Sequence, residues 1–212
     1  MKLHYFPLSP YSQKVLMALF EKEVSFTPQL AELTSPEGRA AIEKLYRMSK
    51  IPVLELDDGQ VLPESSVMIE YIDGLSDREP RLIPTDRMTA LRVRSLDRIV
   101  DQYISNQFLK IFFDGRRPAA DRDPTGVVEA RRTVERAYGL LDAALENATW
   151  LGGKDFSLAD CAAAPALSYA RMLLPFADHK NLSAYAARVI GRPSYQRVQA
   201  EAAPYFARLN NP

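Results

Sequence analysis

The hydrophobic periodicity of the chain changes once, near residue 80, and that change limits the architectures open to it. Before this point short alternating stretches are interleaved with helical ones; after it, apolar residues recur only at helical spacing. Composition shifts at the same place. Four alanines precede Pro80, whereas 21 occur from Ala119 onward, an enrichment that favours helix. The first 80 residues hold 8 basic and 13 acidic side chains, and the imbalance reverses over the remainder, since the whole chain of 212 residues carries 27 of each sign. Ser76, Asp77, Pro80, Pro84 and Thr85 mark the stretch between Gly74 and Asp86 as a junction. The expected division is a domain over residues 1–76, a linker over 77–85 and a second domain over 86–212.

The first domain reads strand, helix, strand, helix, strand, strand, helix. Lys2 to Phe6 alternates, and Tyr11 to Lys22 places Val15, Leu16, Leu19 and Phe20 at helical spacing. Ser25 to Leu30 reads as extended, and Pro28 within it cannot donate to a ladder, so this strand belongs at a sheet edge. Ser35-Pro36-Glu37 is a helix start with proline at its first position, and the helix is expected to end near Tyr46. Pro52 to Asp57 and Gln60 to Leu62 flank the tight-turn pair Asp58-Gly59 of an antiparallel hairpin. A final helix, Glu64 to Leu75, is expected to set Met68, Tyr71, Ile72 and Leu75 on one face. A βαβ unit followed by ββα implies an α+β domain with a four-stranded mixed sheet.

The second domain reads as all-α. Leu96, Ile99, Val100, Tyr103, Ile104, Phe108 and Ile111 form one long stripe, and Val127, Val134, Tyr138, Leu141 and Leu145 another. Ser157-Leu158-Ala159-Asp160 has the form of a helix N-terminal capping box. Segments 182–189 and 193–208 complete a bundle of roughly five helices.

Balanced charge argues against a non-specific nucleic-acid binder, which needs a basic face to neutralise phosphates. The single Cys161 excludes an internal disulfide and a cysteine-based zinc site, and His4 and His179 lie far apart, so no metal is expected. No apolar run approaches transmembrane length, and the chain opens on an alternating strand without a basic region and long apolar stretch. A cytoplasmic protein acting on small ligands or protein partners, with no membrane or nucleic-acid partner, is the expectation.

Three short segments could carry chemistry. Ser9-Pro10-Tyr11-Ser12 opens a helix after the first strand, where unpaired N–H groups and the helix dipole favour an anion or thiolate. On local sequence alone, N-capping is the commoner role for a serine there. In Ser49-Lys50-Ile51-Pro52-Val53 a proline opens a strand; a cis bond would offer the Ile51 backbone to an extended peptide ligand, and a trans bond would mean plain edge placement. Pro63-Glu64-Ser65-Ser66 opens the last helix of the domain. Capping explains it, and so does a zwitterion clamp in which Glu64 takes an ammonium and Ser65 a carboxylate.

Taken in order and spacing, these segments, with Phe156-Ser157-Leu158-Ala159-Asp160 and Arg192-Pro193-Ser194-Tyr195 in the helical half, resemble the cytosolic glutathione S-transferase family over nearly the whole chain. The resemblance implies a thioredoxin-like N-terminal domain, a helical C-terminal domain and a homodimer. It implies that Ser9, with Ser12 as the alternate, stabilises the thiolate of glutathione. It further implies that Pro52 is cis, that Ile51 pairs with the cysteinyl part, that Glu64 and Ser65 hold the γ-glutamyl end, and that Lys50 grips the glycine carboxylate. Serines occupy both positions of the Cys-x-x-Cys pair found in thioredoxin-like folds, which points to a serine-type, tau-like or theta-like arrangement and excludes dithiol exchange at this loop.

On the same resemblance the second substrate, a small apolar electrophile, would meet Tyr11 and, from the long helix, Tyr103, Gln107, Lys110 and Phe113. The implied activity is glutathione transfer, with reduced glutathione as co-substrate. Glutathione-dependent peroxidase or dehalogenase chemistry would use the same site, and a non-catalytic interaction module would use only the fold.

Overall fold

The computed structural model describes residues 1–210. They fall into two compact units, 1–83 with 192–210, and 84–191.

In the first unit β1 (Lys2–Tyr5), β2 (Thr27–Leu30), β3 (Val53–Glu55) and β4 (Val61–Leu62) form a mixed sheet in the order β2-β1-β3-β4. β2 runs parallel to β1, and β3 and β4 are antiparallel to their neighbours. Pro28 sits in the edge strand, where its missing N–H interrupts no ladder. The hairpin between β3 and β4 turns on Gly59 at φ 83°, a left-handed conformation that glycine adopts without cost. β3 and β4 are shorter than the alternation predicts.

Three helices, α1 (Pro10–Lys22), α2 (Pro36–Leu45) and α3 (Ser65–Gly74), complete the expected pattern. α1 is buried on nearly every side, the condition of a helix enclosed by its own domain. Leu16 and Leu19 are fully enclosed, each contributing about 1.5–3 kcal/mol by burial. Lys22 at its end is buried too. Its ammonium lies 3.0 Å from Asp73 Oδ1 and also donates to the carbonyls of Arg78 and Pro80. Asp73 in turn accepts from the amides of Leu82 and Ile83 at 2.9 and 3.1 Å. One buried ion pair thus fastens the segment leaving α3 to α1.

α3 departs from the expected face. Met68, Ile69 and Ile72 are buried, while Tyr71 and Leu75 are exposed together with Val67. The inner stripe also includes Ser65 and Asp73, whose polar side chains hide its position from a hydrophobic count.

The last helix, α9 (Pro193–Asn210), was expected in the second domain but packs with the first unit, against α1. Arg192 donates twice to Glu21, at 2.6 and 2.7 Å, and Ser194 donates to the same carboxylate. The buried Tyr195 hydroxyl donates to Gln13 Oε1 at 2.9 Å, and the Arg197 guanidinium lies 3.8 Å from the Phe20 ring centroid.

The second unit contains α4 (Arg87–Val100), a π-helical turn (Asp101–Ser105), α5 (Asn106–Asp114), α6 (Pro124–Ala144), α7 (Leu158–Ala170) and α8 (Lys180–Ile190). The expected long stripe therefore contains a π turn. The extra residue shifts the helical phase, so Ile104, Phe108 and Ile111 remain buried while Tyr103 is 45% exposed. The capping box at α7 forms as read: Asp160 accepts from the Ser157 amide and hydroxyl at 2.9 and 3.0 Å. It also accepts from the Leu151 amide at 2.9 Å and the Tyr185 hydroxyl at 2.6 Å. Cys161 is buried beside it.

Candidate functional site

Strand register determines which loops meet in the first unit. Val53 lies opposite His4, so Ile51 and Pro52, just before β3, flank the end of β1 that leads into Ser9 and α1. Leu62 lies opposite Leu54, so β4 delivers Pro63, Glu64 and Ser65 to that same end of the sheet. A hydrogen bond of 2.9 Å from Lys14 Nζ to Ser66 Oγ ties the start of α1 to the start of α3. Ser9, the residues before β3 and the Glu64 corner are thereby gathered at one edge.

Ser9 is the N-cap of α1, its Oγ accepting from the Ser12 amide at 3.3 Å. A hydroxyl has two acceptor sites and one donor, so capping leaves its proton for another acceptor. The capping and functional readings of Ser9 are therefore compatible. Ser12 is different. It is fully buried, and its Oγ accepts from the Phe6 amide at 3.3 Å. The loop is held from below by Gln13, whose amide donates to the Pro7 carbonyl at 2.8 Å.

The Ile51–Pro52 peptide is cis. Pairing of β3 with β1 begins at Val53, so Ile51 precedes the ladder. Lys50 is exposed and follows Ser49, which has φ 50°. Glu64 has φ 69° and ψ 113°, a conformation that costs a non-glycine residue about 1–3 kcal/mol. Its side chain caps nothing in α3 and instead accepts from the Tyr46 hydroxyl at 3.2 Å. Desolvation, and then the neighbouring Glu64 carboxylate, hold the Tyr46 hydroxyl above the usual phenol range. Ser65 is buried at the first turn, where helix N–H groups have no intrahelical acceptor. The edge thus offers a free hydroxyl proton, a strained acidic corner and two helix N-termini, a set that suits a small anionic peptide.

Tyr46 and Lys14 escaped the sequence reading. Each meets its partner far along the chain, 18 and 52 residues away, and no local pattern marks such a pairing.

The residues expected around the second substrate are divided between the units. Tyr11 is half-buried in the first turn of α1. In the second unit Tyr103 lies in the π turn and Phe113 is exposed at the end of α5. Two others have local partners: Gln107 donates to the Gln102 carbonyl at 3.0 Å, and Lys110 lies 3.7 Å from Asp123. Among the described residues no group of three or more His, Cys, Asp or Glu side chains is arranged to hold a metal ion. None of the described helices is long and apolar enough to cross a membrane.

Residues 3–80 match the family described as glutathione S-transferase, N-terminal domain, and residues 104–193 match glutathione S-transferase, C-terminal domain. A glutathione S-transferase from Methylobacillus flagellatus, crystallised with GSH bound, superposes with a TM-score of 0.84 at 31% identity, over 93% of this chain and 98% of that one. A glutathione S-transferase of Pseudomonas putida is 30% identical over 166 residues, covering 76% of this chain and 70% of that protein. FtsZ-localized protein A of Caulobacter vibrioides is 28% identical over 216 residues, covering 97% and 93%.

Proposed function

Since the chain belongs to the cytosolic glutathione S-transferase family, we propose that it binds reduced glutathione at the sheet edge of the first unit and transfers it to a small apolar electrophile. Ser9 is the activating residue in this reading, which makes the enzyme serine-type and tau-like or theta-like. The observation that carries it is the Ser9 hydroxyl, which caps α1 through a lone pair and retains its proton for a thiolate. Donating to the charged form of the thiol lowers its pKa, and the positive end of α1 acts in the same direction. The thiolate sulfur then forms a bond to the electrophilic carbon. The leaving group departs with its electron pair, or an activated double bond takes the pair and a solvent proton.

Around the sulfur, Ile51 pairs its backbone with the cysteinyl residue, Glu64 and Ser65 hold the γ-glutamyl ammonium and carboxylate, and Lys50 takes the glycine carboxylate. Ser12 is a poorer activator because its oxygen is buried and points to the Phe6 amide. A cytoplasmic homodimer fits the same reading. Val67, Tyr71 and Leu75 recur every fourth residue along α3 and are 50%, 36% and 48% exposed, an apolar stripe suited to a second copy.

The full-length match to a protein named for FtsZ localisation supports one rival, an interaction module that binds no glutathione. The deciding experiment follows thiolate absorbance of bound glutathione against pH. The wild type is expected to ionise glutathione below the ordinary thiol value of about 8.5. Ser9→Ala is expected to raise that midpoint by about one to two pH units, the worth of one hydrogen bond to a charged group. An unchanged midpoint in the variant removes Ser9 from the chemistry.

A further inference from the structure

In the second unit a row of rings on α5 continues past the end of the helix. Phe108 and Phe112 stack with centroids 5.7 Å apart, and Phe108 stacks at the same distance on Tyr169 of α7. The Arg116 guanidinium lies 3.6 Å from the Phe112 ring centroid. Phe108 and Tyr169 are buried, so the stack is rooted in the core of its unit and holds an exposed guanidinium at its outer end. The neighbouring cations are committed to local partners. Lys110 lies 3.7 Å from Asp123 and Arg117 lies 3.6 Å from Asp114, while Arg122 donates to the carbonyls of Arg117 and Gly115, each at 3.2 Å. Arg116 differs: among the described residues its guanidinium meets the Phe112 ring but no hydrogen-bond acceptor. Beside it Phe113 meets Phe112 edge-on at 5.4 Å and is 57% exposed, so an open apolar ring adjoins the fork.

We infer that Phe113 and Arg116 select an aromatic electrophile that carries a carboxylate, its ring lying against Phe113 and its carboxylate taking two N–H groups of the Arg116 fork. A guanidinium already held on a ring loses little freedom when it pairs, and its planar fork matches a carboxylate. The charge on offer beside the exposed ring is positive, because Asp114 and Asp123 are occupied by Arg117, Lys110 and backbone amides. The inference rests on the glutathione reading, and it narrows the second substrate to an aryl acid. A neutral aromatic keeps the contact with Phe113 and gains nothing from Arg116.

The test compares 4-chloro-3-nitrobenzoate with its uncharged isostere 4-chloro-3-nitrobenzamide as electrophiles for the intact protein at saturating glutathione. In each the glutathione thiolate forms a bond to the ring carbon and chloride leaves with its electron pair. Arg116→Gln is expected to raise the KM of the benzoate about fivefold, the upper range for an exposed ion pair, with kcat unchanged and the KM of the amide unmoved. Added salt is expected to raise the wild-type KM of the benzoate alone. Phe113→Ala is expected to weaken both probes alike. Equal changes with both probes in Arg116→Gln, or none with either, overturn the inference while leaving glutathione transfer in place. If the wild type conjugates neither probe, calorimetric titration of each without glutathione decides. Binding of the benzoate that falls in Arg116→Gln upholds the site apart from the transfer reading, and binding indifferent to Arg116, or absent, overturns it.

Discussion

Replacing Asp160 with alanine tests whether the capping box holds the second unit together. Four donors converge on this fully buried carboxylate: the amides of Leu151 and Ser157 and the hydroxyls of Ser157 and Tyr185. The two amides cannot rotate to new partners, and each orphaned buried donor costs about 1–3 kcal/mol. With about 1 kcal/mol more for Tyr185, the expected loss is about 3–7 kcal/mol, a large share of the 5–15 kcal/mol typical of a domain. Asp160→Asn keeps one acceptor oxygen and should lose roughly half as much. Urea unfolding followed by Trp150 fluorescence is a direct assay, because the only tryptophan of the chain packs edge-on against Phe156 and Tyr185 at 5.3 and 6.3 Å.

The pH dependence gives a second readout. Burial raises the Asp160 pKa from 3.8, against the pull of its donors. A carboxyl that holds its proton to higher pH in the folded than in the unfolded chain contributes stability that is complete below the unfolded value. That contribution is lost as pH rises through the folded value. Wild-type stability should therefore fall relative to Asp160→Asn as pH rises above about 3.8. A loss below about 1 kcal/mol in Asp160→Ala, or parallel pH curves, would refute the reasoning.

Three other perturbations separate structure from chemistry. Ser9→Ala should cut turnover far more than glutathione affinity and cost about 1 kcal/mol of stability through the lost cap, whereas Ser9→Gly should lose the same activity at a cost of only a few tenths; steady-state kinetics with chemical denaturation distinguish the two. Glu64→Ala should weaken glutathione binding about tenfold while leaving the thiol midpoint of bound glutathione unchanged, and a normal dissociation constant would remove it from the clamp. Lys22→Met should destabilise the fold by about 3–5 kcal/mol, because Asp73 would remain buried without its ammonium; thermal unfolding reads the loss, and an unchanged transition would contradict the role of this pair.

Features governed by local backbone chemistry were legible in the sequence. Pro28 placed β2 at an edge because proline has no N–H to give, and Asp58-Gly59 placed the hairpin because the turn needs a positive φ. The Ser157–Asp160 box was legible because its two members stand one helical turn apart. The cis bond before Pro52 was different in kind. It came from family resemblance, and the residues alone left it open.

Features decided by distant contacts were not legible. Lys14 and Lys22 count as polar in any periodicity, yet both are buried because Ser66 and Asp73 receive their ammonium groups. α9 reads as one more helix of the second domain, but Glu21 and Gln13, more than 170 residues earlier, hold Arg192 and Tyr195 to the first unit. Glu64 carries no mark of its positive φ, since acidic residues are common at helix starts for capping reasons. The π turn shifted Tyr103 outward within a stripe that a fixed helical period treats as continuous.

Calorimetric titration of the purified protein with reduced glutathione, repeated with S-hexylglutathione, addresses the central claim most directly. Both ligands are predicted to bind, the hexyl form about tenfold more tightly if two of its methylenes are buried at about 0.8 kcal/mol each. Absence of binding by either ligand at millimolar concentration would contradict the account and leave a glutathione S-transferase fold serving as an interaction module.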